Sequence, residues 1–467
     1  GGLGTRLWPV SRRSYPKQFS NIIGGKTLFQ QSALRLSSSP IIKFMSHIVL
    51  TNSDFRFIIG EQMQQVDIDP GPILIEPELK NTASSILAAS LYAKTNYEDA
   101  LLLVAPSDHI ISDTKYFHRA IEAGIKHVQR GKIVTFGVTP TFPETGYGYL
   151  KLSSDTLDDH KSAAVEKFIE KPLHDEAVKI LASENYLWNM GIYLFKAEDM
   201  IDAFQMYAPD MLRLVSNAVE AAIKDLGFLR LDPKFWSELE NISIDFAIME
   251  KCKNLVAVPY YSKWSDLGDW ASIFSELPKD KLGNYISEGA YSIDCHDSLL
   301  RSESPGQKIV GIGLENIMAI AMPDAVLVAN KNRSQDVKKS VELLRVSQVS
   351  QAEIFPKVHR PWGWFESLAM GTSFQVKRIC VNPNAALSLQ SHKYRSEHWI
   401  VVEGTAKVTI DGKEDYISEG RSTYVPLNAI HRLENLGEVP VILIEVQIGS
   451  YLGEDDIIRY DDIYARK

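Results

Sequence analysis

The chain has 467 residues, 45% of them hydrophobic and 23% charged, with a formal net charge of −9. That length predicts two or three domains with a core in each, in a protein of ordinary soluble composition. The acidic balance excludes a general binder of nucleic acid or membrane surfaces, so an anionic ligand has to be captured locally by clustered Arg, Lys and backbone amides. Cys252, Cys295 and Cys380 lie far apart without CxxC spacing, a reduced and cytoplasmic pattern of use rather than a disulfide or zinc framework. No signal peptide is read at the start. The longest apolar stretch, Ile309 to Ala329, is broken by Glu315, Pro323 and Asp324 and is no membrane span.

The first residues are Gly1-Gly2-Leu3-Gly4-Thr5-Arg6, followed by Arg12, Arg13 and Lys17. Glycines let successive amides line a concave anion site, and the cations add charge to it. Thr27 to Leu36 reads as an amphipathic helix with Leu28, Ala33 and Leu34 facing inward. His47 to Thr51, Ile73 to Ile75 and Ala100 to Ala105 read as buried parallel strands, and Asn81 to Lys94 as a helix. Strands alternating with helices predict a doubly wound α/β sheet, with ligands beyond the carboxyl ends of its strands. Glu76 and the Asn81-Thr82 pair follow the second strand, where either residue of the pair also suits a helix N-cap. Asp108 follows the third strand, where a hard carboxylate suits Mg²⁺ bridging triphosphate oxygens.

Three short motifs come next: Thr145-Gly146-Tyr147-Gly148-Tyr149, Phe168-Ile169-Glu170-Lys171-Pro172 and Trp188-Asn189-Met190-Gly191. Glu170 has the chemistry to accept from sugar hydroxyls and Lys171 to meet a phosphate. Ile192 to Phe195 reads as a short strand, and Met200 to Lys251 as mainly helical. Trp264-Ser265-Asp266-Leu267-Gly268-Asp269-Trp270 supplies a second acidic loop. From Asn284 to Leu344 short apolar pieces alternate with polar turns, and Lys331 to Leu344 reads as a connecting helix. Past His359 the pattern is β-rich, with Asp411-Gly412 a strong hairpin turn. Gln390 and His392 share one strand face, and Glu397 and His431 complete a four-ligand set.

These strings carry a resemblance. Residues 1–19 resemble the signature GGxGTRLWPxSxxxxPKxF of nucleotide-sugar pyrophosphorylases that activate mannose 1-phosphate with GTP. Glu76 to Thr82 looks like the EPxxRNT segment bordering the nucleotide base, with Lys80 in place of arginine. Trp264 to Trp270 resembles WxDxGxW. Gln390, His392, Glu397, Gly404, Gly420, Pro426, His431 and Asn435 fit the two cupin half-motifs, with glutamine in place of the first histidine. Gln390-x-His392-x-x-Arg395-x-Glu397-His398-Trp399 is similar to the mark of the fused isomerase domain. The chain thus resembles the bifunctional mannose-1-phosphate guanylyltransferase and mannose-6-phosphate isomerase family along nearly its whole length. In that family a strand precedes the glycine loop, which implies that the native N-terminus lies upstream of Gly1.

The resemblance implies an α/β doubly wound nucleotidyltransferase domain (1–280), a short β-solenoid linker with a connecting helix (281–345) and a C-terminal all-β cupin barrel (346–467). Gly1, Gly2, Gly4, Thr5, Glu76, Asn81 and Thr82 would bind GTP, with Arg6 and Lys17 stabilising transfer. Gly146, Glu170, Lys171 and Asn189 would hold mannose 1-phosphate, and Asp108 and Asp266 would place Mg²⁺. In the cupin, Gln390, His392, Glu397 and His431 would bind a divalent transition metal such as Zn²⁺ or Co²⁺. Arg459 would bind the phosphate of mannose 6-phosphate or stabilise an enediolate. The alternative keeps the transferase and makes the cupin a non-catalytic module for sugar-phosphate sensing or oligomer contacts. Expected partners are the three small molecules, with no nucleic acid or membrane; homo-oligomerisation stays open.

Overall fold

The structure is a computed structural model describing residues 4–156, 162–183, 185–304, 306–461 and 464; Gly1 and Gly2 lie outside them. The chain folds as two compact units, Gly1–Ser347 and Gln348–Lys467. Among the described residues no helix is long and apolar enough to cross a membrane.

The first unit is an α/β fold built on a mixed sheet. Its six strands run in the order Leu101–Val104, Tyr186–Lys196, Ile133–Val138, Leu255–Pro259, Ala163–Ile169 and Tyr149–Thr156. Leu255–Pro259 lies parallel to Ile133–Val138, and Tyr186–Lys196 is antiparallel to both of its main neighbours. A second sheet pairs Val49–Asn52 with Ile73–Glu76 in parallel and continues into a hairpin, Ile223–Asp225 and Phe228–Arg230. Helices Thr82–Asn96, Ala197–Tyr207 and Pro209–Glu220 cover one apolar layer, centred on Leu87, Phe195, Phe204 and Trp236. Helix Thr114–Val128 covers another, with Phe117, Phe136 and Tyr260.

Several elements depart from the sequence reading. In the helix Leu28–Arg35 the buried residues are Leu28, Phe29, Gln30, Ser32, Ala33 and Arg35, and Leu34 is exposed. The expected strand at His47 begins at Val49, and both Val49–Asn52 and Leu101–Val104 are half-buried rather than buried. Among the described residues each is paired along one edge alone, so its second edge gains no sheet cover. The strand at Ile192 starts earlier, at Tyr186, because Trp188 and Asn189 already pair with the central strand. The stretch from Met200 to Lys251 contains a β-hairpin and a single π-helical turn, Asp245–Met249, besides its helices.

From Tyr285 the chain winds into short parallel ladders. Tyr285–Ile286, Leu299–Ser302 and Ile317–Ala321 stack in one sheet closed by Val326–Asn330, and Ala290–Ile293 pairs with Ile309–Ile312 in another. Two of these strands, Leu299–Ser302 and Ile317–Ala321, escaped the sequence reading. A 3-10 segment, Lys331–Asp336, leads into the exit helix Val337–Val346.

The second unit is all β: two antiparallel six-stranded sheets around a core of Trp362, Ile379, Trp399, Val401, Val408, Leu433 and Leu443. Side chains alternate across each strand. In Arg395–Glu403 the inward positions are therefore Arg395, Glu397, Trp399 and Val401, a polar end and an apolar end on one face.

Candidate active sites

In the first unit three distant motifs meet at Lys17. Its Nζ lies 3.3 Å from Asp108 Oδ2 and donates to the backbone carbonyls of Asp266 at 2.5 Å and Leu267 at 3.2 Å. Lys17 starts a 3-10 turn after Pro16 and is buried with its aliphatic stem against Gly4. Gly4 has a φ of 60°, and a Cβ there would stand 2.5 Å from Ser11 Oγ, so glycine is required. Arg6 is exposed beside it, on the turn Thr5–Leu7. Burial alone would raise the Asp108 carboxyl, but Lys17 and His109 hold it well below the usual carboxylate range. Burial and Lys17 push the His109 imidazole below its ordinary value against the pull of Asp108, and its ring packs edge-on against Trp264. Tyr147 donates to Asp266 Oδ1 at 2.8 Å, which ties the glycine-tyrosine motif to the acidic loop.

Glu76 ends its strand, buried and hydrogen-bonded by Ser85, with burial raising its carboxyl. Asn81 caps the helix Thr82–Asn96, and the Thr82 hydroxyl accepts from Ile244 N–H at 2.9 Å. Lys80, where arginine was expected, donates instead to the Ser237 carbonyl at 2.9 Å. Glu170 and Lys171 are paired at 2.7 Å, and burial together with Asp245 raises Glu170. Gly146 is exposed, its N–H bonded to Glu144. Asn189 is buried: its Oδ1 accepts from Thr135 Oγ1 at 2.8 Å and its Nδ2 donates to Tyr193 OH at 2.9 Å, with Asp245 beyond. Thr135 and Tyr193 were missed by motif reading; their signal was polar residues inside apolar strands. One expectation is corrected. Arg12 does not join the anion-binding cluster, because its buried guanidinium is saturated by Asp324 and the Pro9 carbonyl.

In the second unit His392, Glu397 and His431 present ligand atoms all within 4.8 Å of one another, each residue buried. His392 Nε2 lies 3.1 Å from Glu397 Oε1, and His431 Nε2 3.8 Å from Glu397 Oε2. His431 Nδ1 meets the Ala429 carbonyl at 2.9 Å, which aims Nε2 at the group. Among the described residues His392 Nδ1 and His431 Nε2 are buried without a hydrogen-bond partner, as ring nitrogens of a metal-ligand set can be. Gln390 is buried on the same strand as His392 and pairs in register with His431. The residues present therefore fit a divalent metal. Burial alone would raise Glu397, but His392, His431 and Arg395 hold it well below the usual range.

Around this trio Trp399 Nε1 bridges Glu397 and Glu445 at 3.1 Å each, and Gln447 Nε2 does the same at 3.0 and 2.9 Å. Burial, then the Glu397 charge, pushes Glu445 up to about 8. Lys377 stands 3.9 Å from Glu445 and 2.7 Å from Glu454. Arg360, Lys377, Arg395 and Arg459 line the same cavity as Gln390 and Glu397. Lys377, Glu445 and Gln447 were missed as site residues. Their signal was charge and amide at inward positions of alternating strands.

The first unit has the fold of a nucleotidyl transferase, joined here to a cupin that carries a buried His/Glu group. Comparison with known proteins agrees: residues 1–284 match the model described as nucleotidyl transferase, 290–344 the MannoseP isomerase/GMP-like beta-helix domain, and 347–462 the mannose-6-phosphate isomerase C-terminal domain. Xanthan biosynthesis protein XanB of Xanthomonas campestris pv. campestris (strain B100) is 43% identical over 100% of this chain and 98% of its own length. A mannose-1-phosphate guanylyltransferase of Klebsiella pneumoniae is 39% identical, with 100% and 98% covered. A solved structure titled mannose-1-phosphate geranyltransferase, from Thermus thermophilus, matches with a TM-score of 0.63 at 26% identity, covering 74% of this chain and 97% of that one. The chain belongs to the bifunctional mannose-1-phosphate guanylyltransferase and mannose-6-phosphate isomerase family, the type II phosphomannose isomerases.

Proposed function

We propose that the first unit transfers GMP from GTP to mannose 1-phosphate, giving GDP-mannose and pyrophosphate, and that the second interconverts mannose 6-phosphate and fructose 6-phosphate. The observation that carries the transferase reading is the meeting of Lys17 with the loops of Asp108 and Asp266. A phosphate oxygen of mannose 1-phosphate bonds to the α-phosphorus of GTP as the bond to the β-phosphate breaks and pyrophosphate leaves. Two anions must approach in line, so the work is alignment and charge neutralisation. Lys17 and Arg6 supply positive charge at the transferring phosphate. Glu76, Asn81 and Thr82 border the base; Gly146, Glu170, Lys171 and Asn189 border the sugar phosphate. Asp108 and Asp266 offer hard oxygens that would hold Mg²⁺ with the triphosphate completing its shell. Bound there, Mg²⁺ would neutralise phosphate charge.

In the cupin, Gln390, His392, Glu397 and His431 would hold a transition metal such as Zn²⁺ or Co²⁺, which would polarise the sugar oxygens. Arg459, Lys377 and Arg360, which line one cavity, supply charge for the phosphate. The test is direct. Purified protein with GTP, mannose 1-phosphate and Mg²⁺ should yield GDP-mannose, with ATP and UTP poor donors, and Lys17→Ala should lower kcat by about 10²-fold or more. Equal turnover of all three nucleotides would overturn the donor assignment. A metal-loaded protein that leaves mannose 6-phosphate unchanged would make the cupin a non-catalytic module.

A further inference from the structure

The solenoid carries no group that the proposed chemistry uses, yet its polar side chains reach back to the stretch that presents Gly4, Arg6 and Lys17. Arg12 is 1% exposed. Its Nη1 and Nη2 donate to the two oxygens of Asp324 at 2.5 and 2.7 Å, and its Nε to the Pro9 carbonyl at 3.0 Å. Asp324 sits in the turn between Ile317–Ala321 and Val326–Asn330. Arg301, on Leu299–Ser302, donates to the carbonyls of Ile22 at 2.6 Å and Asn21 at 2.9 Å, just past the turn that begins at Lys17. The acidic loop is held from the same side: Asp269 Oδ2 accepts from Ser334 Oγ and Gln335 Nε2, both at 2.7 Å. The exit helix Val337–Val346 packs on the turn Thr5–Leu7, which bears Arg6.

A fully buried guanidinium is costly unless its donors are met in plane, and a bidentate carboxylate meets them. Surface cations of a phosphate-binding stretch have no reason to be spent this way. We infer that Arg12, Asp324 and Arg301 are positioning residues for nucleotidyl transfer: the solenoid clamps the glycine-rich stretch in the shape that sets Lys17 between Asp108 and Asp266. This rests on the transferase reading above. Lysine cannot replace Arg12, since an ammonium lacks the planar fork.

The test uses the full chain with Asp324→Ala, Arg12→Lys and the exchange Arg12→Asp/Asp324→Arg. Misplacing Lys17, whose contacts strengthen in the transition state, lowers kcat more than it raises KM for GTP, and a shift on the order of 1 Å costs about 10²-fold. Both single variants should lose roughly that much kcat, while the exchange, which restores the pair, recovers at least part of it. Hydrogen exchange at residues 5–22 should quicken in Asp324→Ala, with the strand Leu255–Pro259 as protected as in the wild type. Unchanged kcat in Asp324→Ala would overturn the inference, as would exchange that quickens throughout the unit, since Asp324 would then serve only general stability. If the wild type makes no GDP-mannose, the transferase reading fails; exchange at 5–22 alone then decides whether the clamp exists, and unchanged exchange there sinks it.

Discussion

Lys17 and Arg12 occupy one short stretch and meet opposite surroundings, Lys17 facing a carboxylate and open carbonyls at a strand end, Arg12 facing inward to Asp324. Sequence marks both as cations near glycines; only the fold shows that both are buried, Lys17 against Asp108 and loop carbonyls and Arg12 against Asp324. The cupin group was easier to read, because strand alternation puts Gln390 and His392 on one face of their strand and Glu397 on the inward face of the next. Replacing His392 by Ala removes one buried ligand, so metal measured by elemental analysis after dialysis should fall below that of the wild type; equal content would contradict the ligand assignment. Glu76 makes a different prediction. Burial raises its carboxyl above the ordinary 4.5, opposed by the Ser85 hydrogen bond. The folded protein then keeps a proton that the unfolded chain releases above that pH, so the group's contribution to stability falls as pH climbs past 4.5. Glu76→Gln has no such proton and should lose less stability than the wild type as pH rises above 4.5, read from urea midpoints. Parallel losses would show that Glu76 ionises normally.

Two hairpin turns show how far an element is legible. At Asp411-Gly412 both residues take positive φ, 48° and 78°, and this pair is a strong sequence signal for that turn. The missed hairpin turns at Leu226-Gly227, with φ of 51° and 84°. It needs the same backbone but places leucine where asparagine or aspartate would announce it. Left-handed backbone costs a leucine about 1 kcal/mol, and Leu226 is largely exposed, so Leu226→Asn should stabilise the first unit by about that amount in urea titration. At Gly412 no atom stands within 4 Å of an added Cβ, so Gly412→Ala should cost the second unit about 1 kcal/mol through backbone strain alone. A loss well above this would reveal packing around the turn. The long apolar strands and capped helices were readable because pattern and burial agree. Short strands such as Leu299–Ser302 were not, since ladder partners distant in sequence make them.

At the scale of the molecule, two units with separate cores predict two thermal transitions. A metal bound only by the folded cupin stabilises that unit by mass action, about 2.7 kcal/mol at a hundredfold excess over its Kd. Chelation should therefore lower one transition and leave the other in place, while GTP with Mg²⁺ should raise the one that chelation spares. A single transition moved by both treatments would mean that the units unfold together. The chain passes between the units once, at Ser347–Gln348. Every polypeptide made thus delivers one transferase and one cupin in fixed ratio. Gene dosage and translation cannot favour either; the balance between the two proposed steps is left to their own rate constants and to the supply of nucleotide and metal.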